Sequence, residues 1–399
     1  MAPPVRGQSV GYTARFYLEE ESYLQGEPIF CVFEIKNEGP RIFQFSYRIP
    51  SRAANPALEL EPHFTVETES GERLADVQAQ RCRAAEGSVI YGLVRLSPGQ
   101  THRERWLLNE WVDIGKAGAY RLRAERRLPL RGFDKAHEEF SDQPSAYARA
   151  LSEMTLEVKA PQGAELEQAF RPYRRALADR DEARRLEAVL ALTTSPQPFL
   201  LEDLAGLAQR SRAGAREERL RALDGLARLG TPPAWQAIAQ VAQKSTDEAT
   251  QSRAVQLLAE KGDPDFLGLL LKVLPDATDR VRAELLQGLG SFVDGRAAEV
   301  LFERLHGENP VDRVGALLGL RNMGRKETIP SMIAMLYDPS FRVRQVANFS
   351  LAELTGKKIS LPARATKEDS QKAAQQWRAW WQENNAQFTV RPPGECRSY

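Results

Sequence analysis

The stretch DPSFRVRQVANFSLAELTG, residues 338–356, decides the fold of the C-terminal half of this chain. Its apolar residues recur every three or four positions, the period of an amphipathic helix. It has Pro339 near its start and ends on Gly356, a residue type that terminates helices in the left-handed conformation. A similar stretch, DATDRVRAELLQGLG, occupies residues 276–290. The sequence therefore predicts that one kind of helix is repeated along the chain.

Six copies of this helix can be aligned, at steps of 34, 32, 28, 34 and 32 residues. The aligned position is occupied by Ala188, Ala222, Ala254, Arg282, Ala316 and Asn348. Eight residues further on, five copies have a glycine that can end the helix, and the first copy has Pro196. A second, shorter helix is predicted over 234–242, 265–274, 297–305 and 329–336. Hairpins repeated at about this period form an α-solenoid, because one hairpin cannot bury both of its apolar faces.

Residues 10–160 have a different pattern, in which apolar and polar residues alternate in short runs. Examples are Tyr12 to Leu18, Ile29 to Ile35 and Tyr120 to Ala124. Turn residues such as Gly26-Glu-Pro28 and Ser97-Pro-Gly99 separate the runs. Seven or eight such strands predict one antiparallel β-sandwich. Residues 129–150 lack the alternation, and we expect a long loop with a short helix there.

The predicted fold class is therefore a multidomain β + α protein, with an N-terminal antiparallel β-sandwich followed by an α-solenoid. We expect a flexible N-terminus over 1–9, the sandwich over 10–160 and about six helical hairpins over 161–360. Thr366 and Asp369 form an N-cap and N3 pair for a last helix. We expect this helix to cap the solenoid over 361–388, followed by an irregular tail over 389–399.

The helical repeat resembles a known family. Residues 338–356 are similar to the short bacterial HEAT repeat, also called the phycobilisome-lyase HEAT-like repeat, and residues 276–290 and 309–314 are similar copies. The resemblance covers about residues 165–360. It implies a HEAT-like solenoid, a fold that serves many functions.

The N-terminal half resembles immunoglobulin-like (Ig-like) domains of bacterial exported proteins. The resemblance rests on Tyr23-Leu-Gln-Gly-Glu-Pro-Ile29, followed by a strand and Asn37-Glu-Gly39. It implies an Ig-like β-sandwich and an exported protein, in the periplasm or cell envelope. Residues 1–10 contain no apolar leader segment. We therefore expect an exported protein whose leader is absent from this chain, with a cytoplasmic protein as the alternative.

Composition argues against several classes of function. The 399 residues are 42% hydrophobic and 27% charged, with a net charge of +1, four His and three Cys. None of the His or Cys residues has metal-ligand spacing to another. Nucleotide-binding, hydrolase and metalloprotease motifs are absent, and no apolar run is long enough to span a membrane. We expect no enzyme, no metal and no cofactor.

Two groups of side chains could bind a partner. The first comprises Arg280, Arg313, Arg342 and Arg344, whose guanidinium groups could bind phosphate or carboxylate. The second comprises Trp377 and Trp380 on the last helix, since Trp is enriched at interface hot spots. The alternative, which we favour, is structural. The arginines would bond carboxylates or helix ends of neighbouring repeats, and the last helix would cover the open end of the array.

Cys31 and Cys82 form a possible disulfide, because Cys31 lies at an inward position of a strand and exported domains often contain disulfides. Two free thiols are the equal alternative.

The leading hypothesis is a non-enzymatic scaffold that binds another protein or peptide on the curved solenoid surface. The β-sandwich would be a second binding module or an envelope anchor. One alternative is a tetrapyrrole-handling lyase or chaperone, as the name of the repeat family implies. Another is a HEAT protein that binds nucleic acid, which the near-neutral charge makes unlikely.

Overall fold

The structure, a computed structural model, describes residues 5–7, 11–48, 61–77, 91–134, 139–140, 143–212, 214–362 and 364–390. The chain divides into two compact units, an N-terminal unit of residues 1–197 and a C-terminal unit of residues 198–399. The N-terminal unit contains the strands and two helices, and the C-terminal unit contains the remaining helices.

The strands follow the alternation of apolar and polar residues in the sequence. They are β1 Val5–Gly7, β2 Tyr12–Leu18, β3 Ser22–Leu24, β4 Phe30–Asn37, β5 Phe43–Arg48, β6 His63–Thr68, β7 Tyr91–Leu96, β8 Thr101–Leu107, β9 Gly118–Asp134, β10 Glu139–Phe140 and β11 Ala146–Lys159. β1 lies within the segment that we expected to be flexible, where Val5 pairs with Ala14 of β2.

The strands form two sheets that share one hydrophobic core. One sheet has the order β1-β2-β4-β8, and the other has the order β3-β11-β9-β5-β7, with β6 and β10 also paired to β9. Neighbouring strands are antiparallel except for β3 and β11, which are parallel. Residues from both sheets, including Phe16, Phe33, Phe45 and Leu122, belong to the same buried cluster. The predicted β-rich N-terminal half is confirmed at this level.

The expectation of a loop with a short helix over 129–150 is wrong. β9 continues to Asp134, and β11 begins at Ala146, where it pairs with Leu130. Leu128, Leu130, Ala148 and Ala150 are buried, so these ends keep the strand alternation. Pro129 and the many charged residues on the opposite face hid this pattern from the sequence.

Thirteen α-helices lie in the described part of the chain. They are α1 Glu165–Ala176, α2 Glu182–Thr194, α3 Leu201–Ala208, α4 Arg216–Leu229, α5 Pro232–Lys244, α6 Glu248–Lys261, α7 Leu267–Val273, α8 Asp279–Leu289, α9 Gly295–Leu305, α10 Pro310–Met323, α11 Ile329–Ala334, α12 Phe341–Thr355 and α13 Lys367–Asn384. α1 and α2 belong to the N-terminal unit, which therefore extends beyond the boundary predicted at residue 160.

In the C-terminal unit the first helices of the repeats, α4, α6, α8, α10 and α12, pack against one another in sequence order. The second helices, α5, α7, α9 and α11, alternate with them along the chain. Helices of this kind bury their apolar stripes against the next repeat, so one core runs through the array. The predicted helical repeats are confirmed.

The structure corrects the register of two repeats. Arg282 and Arg344 occupy the same place in α8 and α12 that Arg313 occupies in α10, near the start of the helix. Three residues after these arginines lie Leu285, Ala316 and Ala347, which are all buried. The corrected steps are 34, 32, 31, 31 and 31 residues from Ala188 to Ala347. Arg282 and Asn348 therefore do not occupy the aligned position.

The glycines that end the helices are of two kinds. Gly230, Gly262, Gly324 and Gly356 have positive φ between 62° and 71°, as expected for C-terminal caps. Gly290 instead has φ −64°. A Cβ atom built on Gly290 would overlap the carbonyl oxygen of Gly319 and lie 2.8 Å from the Asn322 Cβ. Glycine is needed there because α10 packs closely, not because the backbone is left-handed.

The last helix begins as the sequence predicts. The Asp369 backbone N–H donates to Thr366 Oγ1 at 3.1 Å, and the Thr366 N–H donates to Asp369 Oδ2 at 3.0 Å. This reciprocal pair is a capping box. α13 ends at Asn384 and packs against α11.

Candidate functional site

A row of long polar side chains lies near the starts of the first helices of the repeats. Each of these side chains donates a hydrogen bond to a backbone carbonyl in the preceding loop or helix end. Its members are Arg185, Arg219, Gln251, Arg282, Arg313 and Arg344. Each of these donors therefore satisfies a backbone carbonyl just before its own helix. The row is part of the fold.

Arg313 and Arg344, two of the candidate partner-binding residues, belong to this row and are buried. Arg313 makes a bidentate pair with Asp338, with Nε–Oδ2 at 2.7 Å and Nη2–Oδ1 at 3.0 Å. Arg344 Nε donates to Ser370 Oγ at 3.0 Å. Their donors are used inside the protein, so they are not available to a partner. Arg280 and Arg342 are exposed.

The two candidate tryptophans have different environments. Trp377 is fully buried, and its indole Nε1 donates to Asn348 Oδ1 at 2.8 Å. Trp380 is half-buried and lies against Trp381 and Phe388, with ring centroids 6.2 Å and 5.5 Å away. Trp377 attaches α13 to α12, and Trp380 keeps part of its surface in solvent.

A second set of side chains, here called the exposed row, keeps contact with solvent. Each member lies five residues after a member of the row of long polar side chains described above. The members of the exposed row are Asp224, Gln256, Gln287, Leu318 and Phe349. The first two are held by neighbouring repeats. Arg253 Nε donates to Asp224 Oδ1 at 2.9 Å, and Gln256 Nε2 donates to Glu284 at 2.8 Å.

The exposed row ends in an aromatic residue. Phe349 is 48% exposed, and the guanidinium carbon of Arg321 lies 5.5 Å from its ring centroid. Burial lowers the pKa of Arg321, and the charge of Glu353 partly offsets that effect. A half-exposed phenylalanine beside an arginine combines two residue types that are enriched at protein interfaces.

A cleft of about 800 Å³ lies in the C-terminal unit, bordered by the loop before α4 and the loop between α5 and α6. Five basic side chains line it: Arg210, Arg212, Arg216, Arg219 and Lys244. Asp247 is the acidic residue in the lining. We call it the basic cleft. Helical periodicity did not predict this cleft, although four arginines within residues 210–219 signal it in the sequence.

Asp247 anchors the basic cleft. Its Oδ1 accepts hydrogen bonds from the Thr250 backbone N–H at 2.9 Å and from the Thr250 hydroxyl at 2.6 Å. Its Oδ2 lies 3.2 Å from Arg216 Nη2 and 3.3 Å from Arg219 Nη2. Burial alone would raise the pKa of Asp247, but these hydrogen bonds and charges outweigh it and lower the pKa to about 2. Asp247 is therefore ionised at neutral pH.

A second cleft, of about 720 Å³, lies in the N-terminal unit between the strands and helices α1 and α2. Arg105 lies in its wall, pairs with Glu19 and Glu187, and stacks 4.1 Å from the Phe30 ring centroid. Burial raises the pKa of Tyr23 and of Tyr173 to about 12. The guanidinium group of Arg105 is therefore paired inside the unit, and its ion pair with Glu187 attaches α2 to the strands.

Cys31 is buried in the core shared by the two sheets. Cys82 lies outside the described residues, so the disulfide remains a prediction. No group of three or more His, Cys, Asp or Glu side chains suited to a metal ion occurs in the part of the chain that the structure describes. Among the described helices, none has both the length and the apolar character needed to cross a membrane.

Comparison with known proteins gives one family match, to HEAT repeats, at residues 204–290 and 235–314. No curated protein matches the chain. Several solved structures are similar to its helical part. YibA of Escherichia coli is 12% identical over 49% of this chain and 77% of its own, with a TM-score of 0.34.

Two further structures give similar values. The CpcE–CpcF complex of phycocyanin lyase from Nostoc sp. PCC7120 is 17% identical over 49% of this chain and 78% of its own, with a TM-score of 0.34. A designed armadillo repeat protein is 16% identical over 48% of this chain and 94% of its own, with a TM-score of 0.29. The family match shows that residues 204–314 carry HEAT repeats.

Proposed function

We propose that this protein is a non-enzymatic scaffold that binds a protein partner on the exposed row, with Phe349 at the centre of the contact. The observation that carries the proposal is the exposure of Phe349 beside Arg321 on the last repeat of that row. HEAT repeats fit this role, because stacked hairpins present long surfaces on which many small contacts add up.

The side chains along the row support a contact at its C-terminal end. Asp224 and Gln256 are already hydrogen-bonded to neighbouring repeats. Leu318 and Phe349 are apolar and remain partly in solvent. Burying the exposed half of a phenylalanine removes apolar surface from water, which favours association. Arg342, exposed at the start of α12, and Trp380 are further candidates for the rim of this contact.

Site-specific photo-crosslinking in the native cell tests this proposal. A benzophenone amino acid is placed at Phe349 and, in a matched protein, at Val293, which is 95% exposed on the loop between α8 and α9. We expect a discrete crosslinked protein from position 349 and none from position 293. Phe349→Ser should lower the recovery of that partner at least tenfold without unfolding the chain. Equal crosslinking at both positions would remove the basis for the proposed surface.

We further propose that residues 10–160 of the N-terminal unit form an Ig-like β-sandwich that serves as a second binding module or envelope anchor. Its two sheets with one shared core support this, as does Tyr120, whose hydroxyl donates to the Lys116 carbonyl at 2.7 Å near the start of β9. A tyrosine bonded to the backbone a few residues upstream recurs in Ig-like domains. A solved structure of the unit with its complete strand order tests the assignment.

An exported location is part of this proposal. Mass spectrometry of the protein purified under thiol-blocking conditions tests it through Cys31 and Cys82. A Cys31–Cys82 disulfide supports an oxidising compartment, whereas two alkylated thiols support the cytoplasm. Tetrapyrrole handling and nucleic-acid binding remain the alternative predictions, and absorbance titration with a bilin tests the first.

A further inference from the structure

The basic cleft collects more positive charge than the fold requires. The whole chain has a net charge of only +1, yet five basic side chains and one acidic side chain line this cleft. Two of the basic residues have structural partners, since Arg210 pairs with Glu218 at 2.8 Å and Arg219 donates to the Arg210 carbonyl and to Thr250 Oγ1 at 3.0 Å each.

The remaining basic residues are turned to solvent. Arg216 is 65% exposed at its side chain and contacts Asp247 at 3.2 Å. Arg212 and Lys244 are exposed, and within the described residues neither has a carboxylate partner. Like charges gathered in one cleft repel each other, and an anion bound between them relieves that repulsion.

The repeats themselves provide an internal comparison. In the corrected register Arg216 corresponds to Glu248, Asp279, Pro310 and Phe341 in the next four repeats. None of these is basic, so the repeat does not need a cation there. Arg219, by contrast, corresponds to Gln251, Arg282, Arg313 and Arg344, the buried structural row. The side chain at this position bonds the residue that begins the next first helix: Arg216 donates to Asp247, and Glu248 and Asp279 accept from Thr278 and Asn309. Arg216 therefore has a structural partner, and the surplus positive charge of the cleft lies on Arg212 and Lys244.

We propose that the basic cleft binds a phosphate monoester, either on a small molecule or on a phosphorylated side chain. Arginine guanidinium groups bind phosphate oxygens in a bidentate geometry, and several cations together match a dianion better than a carboxylate. The hydroxyl groups of Ser211 and Thr246 line the same cleft and can donate to further oxygens. Glu248 and Asp279, which correspond to Arg216 in the next two repeats, interrupt the positive surface. This interruption disfavours a continuous binding track for a nucleic-acid backbone.

Isothermal titration of the full chain with O-phosphoserine and with inorganic phosphate tests the proposal. Acetate at the same ionic strength is the carboxylate control. We expect saturable binding of both phosphates, and at least tenfold weaker binding of acetate. Arg216→Ala combined with Lys244→Ala should weaken phosphoserine binding at least tenfold. Lys272→Ala combined with Arg280→Ala removes two exposed charges elsewhere on the same unit and should change it less than twofold.

The outcomes separate the possible ligands. A phosphoserine peptide that binds at least tenfold more tightly than free phosphoserine assigns the cleft to a phosphorylated segment, and equal affinity assigns it to a small phosphate compound. The proposal is overturned by absence of saturable phosphate binding, or by equal weakening in both double variants while circular dichroism shows them folded. An oligonucleotide that binds this cleft and is not displaced by phosphoserine overturns it as well. Because Phe349 is not part of the cleft, these results are independent of the proposed scaffold surface.

Discussion

Arg126 is a fully buried charge in the core of the N-terminal unit. Its Nη1 donates to Glu104 Oε2 at 2.7 Å, and its guanidinium lies 4.6 Å from the Phe33 ring centroid and 5.3 Å from that of Trp106. Burial lowers the pKa of Arg126, and the charge of Glu104 opposes this. A buried cation is tolerated only with such a partner.

Glu104→Gln should therefore destabilise the protein by about 3 kcal/mol, because it leaves Arg126 without its counter-charge. Urea unfolding measures the effect. The double variant Glu104→Leu with Arg126→Met removes both charges and should recover most of the loss. If Glu104→Gln costs no more than the double variant, the ion pair is not what holds this part of the core.

The Glu104 carboxyl also makes stability depend on pH. Burial raises its pKa, but hydrogen bonds from His102 and Arg126 outweigh this and hold the pKa below its usual range. A group with a lowered folded-state pKa stabilises the protein above its unfolded-state pKa, and this contribution disappears as the pH falls. As the pH falls below about 4–5, we expect the urea midpoint to decrease less in the Glu104→Leu and Arg126→Met double variant than in the wild type.

The buried phenols of Tyr23 and Tyr173 act at the other end of the pH scale. Burial raises the pKa of each to about 12, above the value of about 10 in an unfolded chain. The folded state then binds more protons between pH 10 and 12, so the free energy of unfolding falls as the pH rises through that range. In the double variant Tyr23→Phe and Tyr173→Phe, the free energy of unfolding measured in urea should fall less steeply over this pH range.

At the scale of elements, α8 and α10 pack closely because glycines line their contact. A Cβ atom built on Gly315 would lie 3.0 Å from the Ala283 carbonyl oxygen, and one on Gly319 would overlap the Leu286 carbonyl oxygen. Glycine in a helix interior costs about 1 kcal/mol relative to alanine. The close approach of the two helices offsets that cost through packing.

Gly319→Ala should consequently destabilise the protein by about 1–3 kcal/mol, because the new methyl group has no room. Gly206→Ala is the matched control, since that glycine is exposed in the interior of α3 and a Cβ there meets no atom within 4 Å. It should raise stability by up to about 1 kcal/mol. Thermal unfolding of both variants checks the opposite signs, and a stabilised Gly319→Ala protein would contradict the packing argument.

At the scale of the whole molecule, the C-terminal unit behaves as a linear array in which each repeat is stabilised by its neighbours. After α12, the helix α13 takes the place that a further hairpin would occupy. Trp377 and the Arg344–Ser370 hydrogen bond connect α13 to α12. The stability of the end of the array therefore depends on α13.

Trp377→Ala should cost about 3–5 kcal/mol, as for other buried aromatic residues. Amide hydrogen exchange should lose protection first in α12 and α13, and least in α4, because repeats interact with their nearest neighbours. Trp380→Ala, at a half-buried position, should have a smaller effect on the same amides. A uniform loss of protection across all the repeats would indicate that the array unfolds as a single unit.

The sequence by itself determined that the chain has a β-rich half and a half of HEAT-like helical repeats. Local periodicity and terminating glycines depend on near neighbours in the chain, so they can be read without tertiary structure. The capping box of Thr366 and Asp369 could be predicted from the sequence for the same reason. The sequence did not distinguish Gly290 from the other terminal glycines, because the overlap with Gly319 joins two helices that are distant in sequence.

Only the tertiary structure decided which charged residues are available for function. Arg313 and Arg344 lie near the starts of their helices, as Arg280 and Arg342 do, yet the first pair is buried and bonded and the second is exposed. The basic cleft likewise forms because two loops from successive hairpins come together. Burial and charge density depend on contacts between residues far apart in the chain, whereas periodicity records only which face of its own helix a residue occupies.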